Sequence, residues 1–119
     1  MRETGKGGLT ELVGDYLPWI QSSEAIYFVR NHQTLGSTKG RPDFELIIPL
    51  RGSLIGQFIG IELKGSNWKG KLDKYKQRQR ELIERAGGKY FICLSLEELH
   101  CILQNHGIAS RIELSDFTD

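Results

Sequence analysis

The chain predicts an α/β domain, a mixed central sheet of about four strands flanked by helices, and three observations carry that expectation. Residues 40–64 read GRPDFELIIPLRGSLIGQFIGIELK, two apolar runs rich in β-branched and aromatic residues on either side of Arg51, Gly52 and Ser53. Runs of that kind joined by turn residues read as a β-hairpin. Downstream, Leu72, Tyr75, Gln79, Leu82, Ile83 and Ala86 recur at steps of three and four and stop at Gly87-Gly88, the pattern of a helix with a glycine stop. A further apolar run, KYFICL at 89–94, follows that helix. A strand reached through a crossover helix runs parallel to an earlier strand, so the sheet is expected to be mixed.

The remaining elements follow in order. A length of 119 residues suits one domain with a core of its own. Residues 1–8, MRETGKGG, are charged and Gly-rich and are expected to form a flexible arm. Thr10 is placed to cap a helix running to about Gln21, because Leu9, Leu12, Val13, Tyr16, Leu17 and Ile20 share one helical face. Gly14 lowers helix propensity, and Pro18 is expected to end or kink the helix. Residues 25–30 (AIYFVR) read as a short strand, and the polar stretch 31–40 as a loop. Residues 65–70 (GSNWKG) are a second loop, whose Trp68 is either a lid over a site or an anchor in the core. Ser95 caps the last clear helix, 95–104, with Glu98 at the capping-box position. The run IASRIEL within 107–119 reads as a short strand before an acidic tail.

Composition bounds the function classes. There is no apolar run near the ~18 residues of a membrane span, and no charged-then-apolar leader. Cys93 and Cys101 lack metal-type spacing and are expected to be reduced, so a cytoplasmic protein that does not meet a membrane is anticipated. The net charge is only +1, yet residues 64–80 hold a dense basic run with one acid, Asp73. His32, His100 and His106 show no ligand spacing, and His100 is expected at the surface or beside a helix neighbour. Ser53 and Ser66 have no matching base nearby, and Gly5, Gly7 and Gly8 do not make a phosphate-binding loop.

Chemistry concentrates at the open end of the hairpin. Asp43 and Glu62 are equidistant from the Gly52–Ser53 bond. In an unbulged hairpin they are therefore cross-strand neighbours, with Cβ atoms about 4.5–5.5 Å apart. Alternation puts Phe58, Gly60, Glu62 and Lys64 on one face and Ile59, Ile61 and Leu63 on the other. Two facing carboxylates make most sense with a cation between them. A hard divalent ion such as Mg²⁺, or Mn²⁺, would take oxygens from Asp43 and Glu62 and the backbone carbonyl of Leu63. Lys64, on the face of Glu62, would hold a phosphate or position the attacking water. Gln79 falls near the middle of the apolar stripe of its helix, where a polar group needs a partner or aims at the site. Lys69, Lys71, Lys76 and Arg80 are candidate contacts to backbone phosphates.

The series Pro42-Asp43, Glu62-Leu63-Lys64, a Gly-rich basic loop and a helix bearing Gln79 and closed by Gly87-Gly88 resembles the PD-(D/E)XK nuclease superfamily. More narrowly it is similar to the VRR-Nuc (virus-type replication–repair nuclease) branch. The segments YFVRN (27–31) and SLEEL (95–99) add to the likeness, which spans roughly residues 10–103. The resemblance implies a single nuclease domain with a restriction-endonuclease-like core and one or two Mg²⁺ or Mn²⁺ ions. It makes Asp43 and Glu62 metal ligands, Lys64 the catalytic lysine and Gln79 the motif glutamine, with Gln77 as the competing position. The family's first-helix glutamate falls to Glu11, on the side opposite the apolar stripe. The similar stand-alone members occur in phages and bacteria and resemble Holliday-junction resolvases. An endonuclease acting as a homodimer on branched DNA in replication and repair is thus expected. The rivals are a non-catalytic nucleic-acid-binding module and a site-specific restriction-type nuclease.

Overall fold

The computed structural model describes residues 6–32, 38–50 and 54–118. It is α/β, with a four-stranded mixed sheet in the order β1-β2-β3-β4, flanked by helices. The elements are α1 (Lys6–Gln21), β1 (Tyr27–Arg30), β2 (Phe44–Pro49), β3 (Gly56–Leu63), α2 (Lys74–Arg85), β4 (Lys89–Cys93), α3 (Leu96–Asn105) and α4 (Leu114–Thr118). β1, β2 and β3 pair antiparallel, and β4 runs parallel to β3 as the crossover through α2 requires. No helix among the described residues is long and apolar enough to cross a membrane.

One face of the sheet carries the core. Phe44, Leu46 and Ile48 of β2, Ile59, Ile61 and Leu63 of β3, and Cys93 of β4 form one buried cluster with Leu9, Val13, Tyr16, Leu17 and Ile20 of α1 and Leu96, Leu99 and Leu103 of α3. The period-2 alternation of the strands delivers these residues, and their partners alternate to the opposite face. Over β3 and β4 that opposite face is covered by α2, which has no fully buried residue, with Pro42 packed beside Gly60. Over β1 and β2 it stays open, with Tyr27, Val29 and Ile47 exposed.

Several expectations need correction. The helix begins at Lys6, so the end of the expected arm is its first turn; residues 1–5 lie outside the described residues. Thr10 is therefore not a cap, and its hydroxyl donates back to the Lys6 carbonyl at 2.8 Å. Leu9, with no exposed surface, explains the early start: the turn before Thr10 already has a side chain to bury. Pro18 does not end the helix, which continues to Gln21.

The strand expected within 107–119 is absent; turns lead into α4. Side chains take up part of the backbone that a strand would need, at Ala109 and Ile112. The Ala109 N–H donates to Glu24 Oε1 at 2.7 Å, and the Ile112 carbonyl faces both His100 Nε2 at 3.0 Å and Gln104 Nε2 at 3.3 Å. His100 itself is buried, not at the surface. Since a carbonyl only accepts, Nε2 carries the proton and Nδ1 accepts from the Tyr16 hydroxyl at 2.5 Å.

Candidate functional site

The hairpin turns as the sequence requires. Phe44 faces Ile61, Glu45 faces Gly60, and this register runs without a bulge to the Pro49–Gly56 pair. Beyond it the Leu50 N–H donates to the Ile55 carbonyl at 2.9 Å; the turn residues 51–53 lie outside the described residues. One step past the other end, the same register sets Asp43 beside Glu62. The Asp43 carboxylate accepts from the Leu63 N–H at 2.8 Å, which fixes its orientation. In a paired strand the N–H and C=O of one residue point to the same side, so the Leu63 carbonyl also faces the Asp43 side.

Several contacts hold Asp43 in place. Asn31, just beyond β1, donates from Nδ2 to the Pro42 carbonyl at 2.8 Å and to Glu45 Oε2 at 2.7 Å. Its backbone N–H donates to the Asp43 carbonyl at 2.9 Å. Gly40 has φ +83°, and a Cβ there would lie 2.4 Å from the Tyr75 backbone, so only glycine lets this loop pass under the first turn of α2. Gly60 does the same for the other side: a Cβ would meet Pro42 at 2.9 Å and Ile83 at 3.4 Å. Asp73 starts α2 as its N-cap, accepting from the Lys76 N–H at 2.9 Å. That hydrogen bond is the main cause that holds its carboxyl below the usual range.

The result is a buried carboxylate ringed by ammonium groups. The Glu62 side chain has no exposed surface, and its Oε2 lies 2.9 Å from Lys76 Nζ, 3.4 Å from Lys64 Nζ and 3.5 Å from Lys6 Nζ. Lys6 Nζ also lies 3.3 Å from Asp43 Oδ2. One ammonium therefore bridges both carboxylates, which places their oxygens around a common point. These contacts are ionic, not aligned hydrogen bonds: neither Glu62 oxygen has a hydrogen-bond partner among the described residues. A fully buried carboxylate without aligned hydrogen bonds keeps oxygen lone pairs that a cation could use. Two hard carboxylate oxygens and a carbonyl, with waters completing the shell, fit Mg²⁺ or Mn²⁺.

The structure brings together Asp43, Glu62 and Lys64, but not every expected residue joins them. Glu11 is exposed on α1 and lies 3.6 Å from Arg30 on the edge strand β1; this corrects its assignment as a metal ligand. Among the described residues no group of three or more His, Cys, Asp or Glu side chains that could hold a metal ion converges. Gln79 is half-buried on α2, on the face between Lys76, which touches Glu62, and Ile83, which packs toward Gly60. Gln77 points elsewhere: it donates to the Leu72 carbonyl at 2.9 Å and lines a cleft with Trp68 and Ile92. Trp68 is half-buried and donates from Nε1 to the Lys71 carbonyl at 3.2 Å, fastening its loop beside that cleft instead of covering Glu62.

Of the expected phosphate contacts, Lys69 and Lys71 are exposed. Lys76 is turned onto Glu62, and Arg80 lies over the Tyr90 ring and 3.4 Å from Glu84. Sequence reasoning missed Lys6, Tyr90 and Tyr75. Tyr90, opposite Gly60 on β4, is buried with a hydroxyl that has no partner among the described residues. Burial, and then the negative charge of Glu62, raise its pKa far above the ordinary tyrosine range. Tyr75 is exposed with the ammonium groups of Lys39 and Lys74 at 5.1 and 5.3 Å from its ring centre. That is a cationic aromatic platform at the mouth of the site.

Comparison with protein-family models, with curated proteins and with solved structures returns no match.

Proposed function

We propose that this protein is a divalent-metal-dependent endonuclease that hydrolyses DNA phosphodiester bonds. The observation that carries the reading is the pair Asp43 and Glu62, with Glu62 fully buried, short of hydrogen bonds and surrounded by lysines. The likeness of the Pro42-Asp43, Glu62-Leu63-Lys64 series to VRR-Nuc proteins supports the same reading.

In this reading Asp43, Glu62 and the Leu63 carbonyl hold Mg²⁺ or Mn²⁺, which when bound polarises the phosphoryl oxygen and makes water a better nucleophile. The chain's own groups do the rest. Lys64, one-sixth exposed beside Glu62, orients water for in-line attack and offsets the charge that develops on the phosphate. As water adds to phosphorus the P–O ester bond breaks, and the leaving oxygen takes up a proton. Gln79, on the turn of α2 that faces the sheet, orients the reacting phosphate. Lys69, Lys71 and the Lys39–Tyr75–Lys74 platform grip flanking phosphates, and their contacts are not sequence-reading ones. Branched or junction DNA is the substrate that such backbone contacts and a paired site suit best. A two-fold homodimer would present two sites to a symmetric junction.

The test is cleavage of a four-way junction and of a linear duplex of the same sequence, with Mg²⁺ or Mn²⁺. Preferential cutting of the junction, lost in Glu62→Gln, is expected. DNA binding by wild type with no cleavage of any substrate under either metal leaves a binding module, and sequence-dependent cutting of the linear duplex leaves a restriction-type nuclease. Light scattering at twice the 13.5 kDa monomer mass is expected for the dimer.

A further inference from the structure

Lys6 and Lys76 are unusual neighbours for a metal site. They come from the first residue of α1 and the first turn of α2, and both reach the same oxygen of Glu62 that a cation would use, at 3.5 and 2.9 Å. Lys6 reaches Asp43 as well, at 3.3 Å. A divalent ion of the Mg²⁺ type sits about 2.0–2.1 Å from its oxygens. With Lys6, Lys64 and Lys76 all in contact with Oε2 it would meet strong repulsion in a buried setting, so part of that ammonium ring must move. Lys64 alone matches the position the proposed chemistry needs. The charge count agrees. Two carboxylates face three ammonium groups, so the site already carries a surplus of positive charge, and a divalent ion added without any anion would enlarge it.

We infer that Lys6 and Lys76 form a displaceable counter-ion latch. They neutralise Asp43 and Glu62 in the DNA-free protein, and they swing to phosphate oxygens when nucleic acid arrives, which frees the carboxylates for the metal. Lysine suits this role: its compact charge sits on a flexible stem, and Lys6 is already two-fifths exposed. Metal and phosphate then bind with positive coupling, each clearing the site for the other. The latch rests on the metal-site reading of Asp43 and Glu62 and says, beyond it, that metal affinity is suppressed until substrate is present.

The experiment is Mn²⁺ binding to the DNA-free protein, read from the electron paramagnetic resonance signal of free Mn²⁺. Wild type, Lys76→Met, Lys6→Met, the double variant and Glu62→Gln are compared, with circular dichroism confirming that each is folded. Each single lysine variant is expected to bind Mn²⁺ about tenfold more tightly than wild type, and the double variant more tightly still. Binding that appears only in the double variant also supports the latch. If wild type binds Mn²⁺, Glu62→Gln does not, and the lysine variants bind no better than wild type, the latch is wrong while the metal site stands. If no protein in the series binds Mn²⁺, both are wrong. Lys6, at a helix end, guards the result against a misfolded Lys76 variant.

Discussion

The two faces of the sheet are built on opposite principles. On the face toward α1 and α3, Ile59, Ile61 and Leu63 share one cluster with Leu99, Leu103 and Tyr16, none with exposed surface, and the polar contact of Tyr16 with His100 is closed by hydrogen bonds on both ring nitrogens. On the face toward α2, the same strand presents Gly60 and Glu62, covered by one helix that buries none of its own residues completely. Alternation along β3 separates the two by a single residue. Stability is thus concentrated on one side of the strand, and unsatisfied polar groups, Glu62 and the Tyr90 hydroxyl, are stored on the other. Burying polar groups without aligned hydrogen bonds opposes folding, and proteins retain such groups where they have a use.

The sharpest way to break this contrast is to mutate both faces of one molecule. Leu99→Ala removes a fully buried side chain at the centre of the core, and a loss of about 2–5 kcal/mol is expected by denaturant titration. Glu62→Gln, though equally buried, is expected to cost much less, because its lysine partners are long enough to carry their charges to water. A Glu62→Gln loss as large as that of Leu99→Ala would make Glu62 a structural ion pair. Gly40→Ala comes next. It forces a β-carbon against the α2 backbone at a positive φ, so a loss of more than about 1 kcal/mol is expected together with a weakened hold of α2 on the site. Melting temperature and Mn²⁺ binding, measured on the same sample, check both parts.

Asp73→Ala should be milder, about 1 kcal/mol, since the cap is exposed and water replaces part of what it gives. Because folding lowers the Asp73 pKa, its contribution is present above the ordinary carboxylate range and fades as pH falls through the lowered value. The Asp73→Ala difference should therefore shrink in acid, as thermal melts at descending pH will record. The smallest effect at neutral pH separates the two tyrosines. Both are raised above the ordinary value of 10.0 by burial, so the fold keeps their protons when the unfolded chain has begun to lose them. Stability is fully present below pH 10 and declines above it. Tyr90→Phe should be close to neutral at pH 7 and flatten that alkaline decline. Tyr16→Phe should flatten it too, but at pH 7 it loses a hydrogen bond worth about 1 kcal/mol.

Much of this arrangement is legible in the sequence, for reasons that particular residues make plain. The register of Asp43 and Glu62 follows from counting, because the paired residues of β2 and β3 run without a bulge and keep the sum of positions that the sequence sets. Ser95 caps its helix as the pattern implies, accepting from the Glu98 N–H at 3.2 Å, while Glu98 Oε1 reaches back one residue past the cap and accepts from the Leu94 N–H at 2.8 Å. What escaped depends on contacts distant in the chain. Lys6 sits in a glycine-rich stretch with poor helix propensity, and only its packing against the hairpin makes it part of the site. His100 reads as a surface residue because its partners, Tyr16 and Ile112, belong to other segments. Glu11 follows helical phase to the outer side of α1, where Arg30 takes it, and a family pattern alone cannot turn it inward.

One measurement bears on the central claim most directly: single-turnover cleavage of a labelled four-way junction in Mg²⁺ by wild type and Lys64→Ala in parallel. Lys64 touches Glu62 but is not needed to hold a metal, so its removal should leave junction binding nearly intact and slow cleavage by roughly 10²–10³-fold, the usual loss for a group that stabilises charge in the transition state. Equal rates for the two proteins, or no cleavage by wild type with either Mg²⁺ or Mn²⁺, would contradict it.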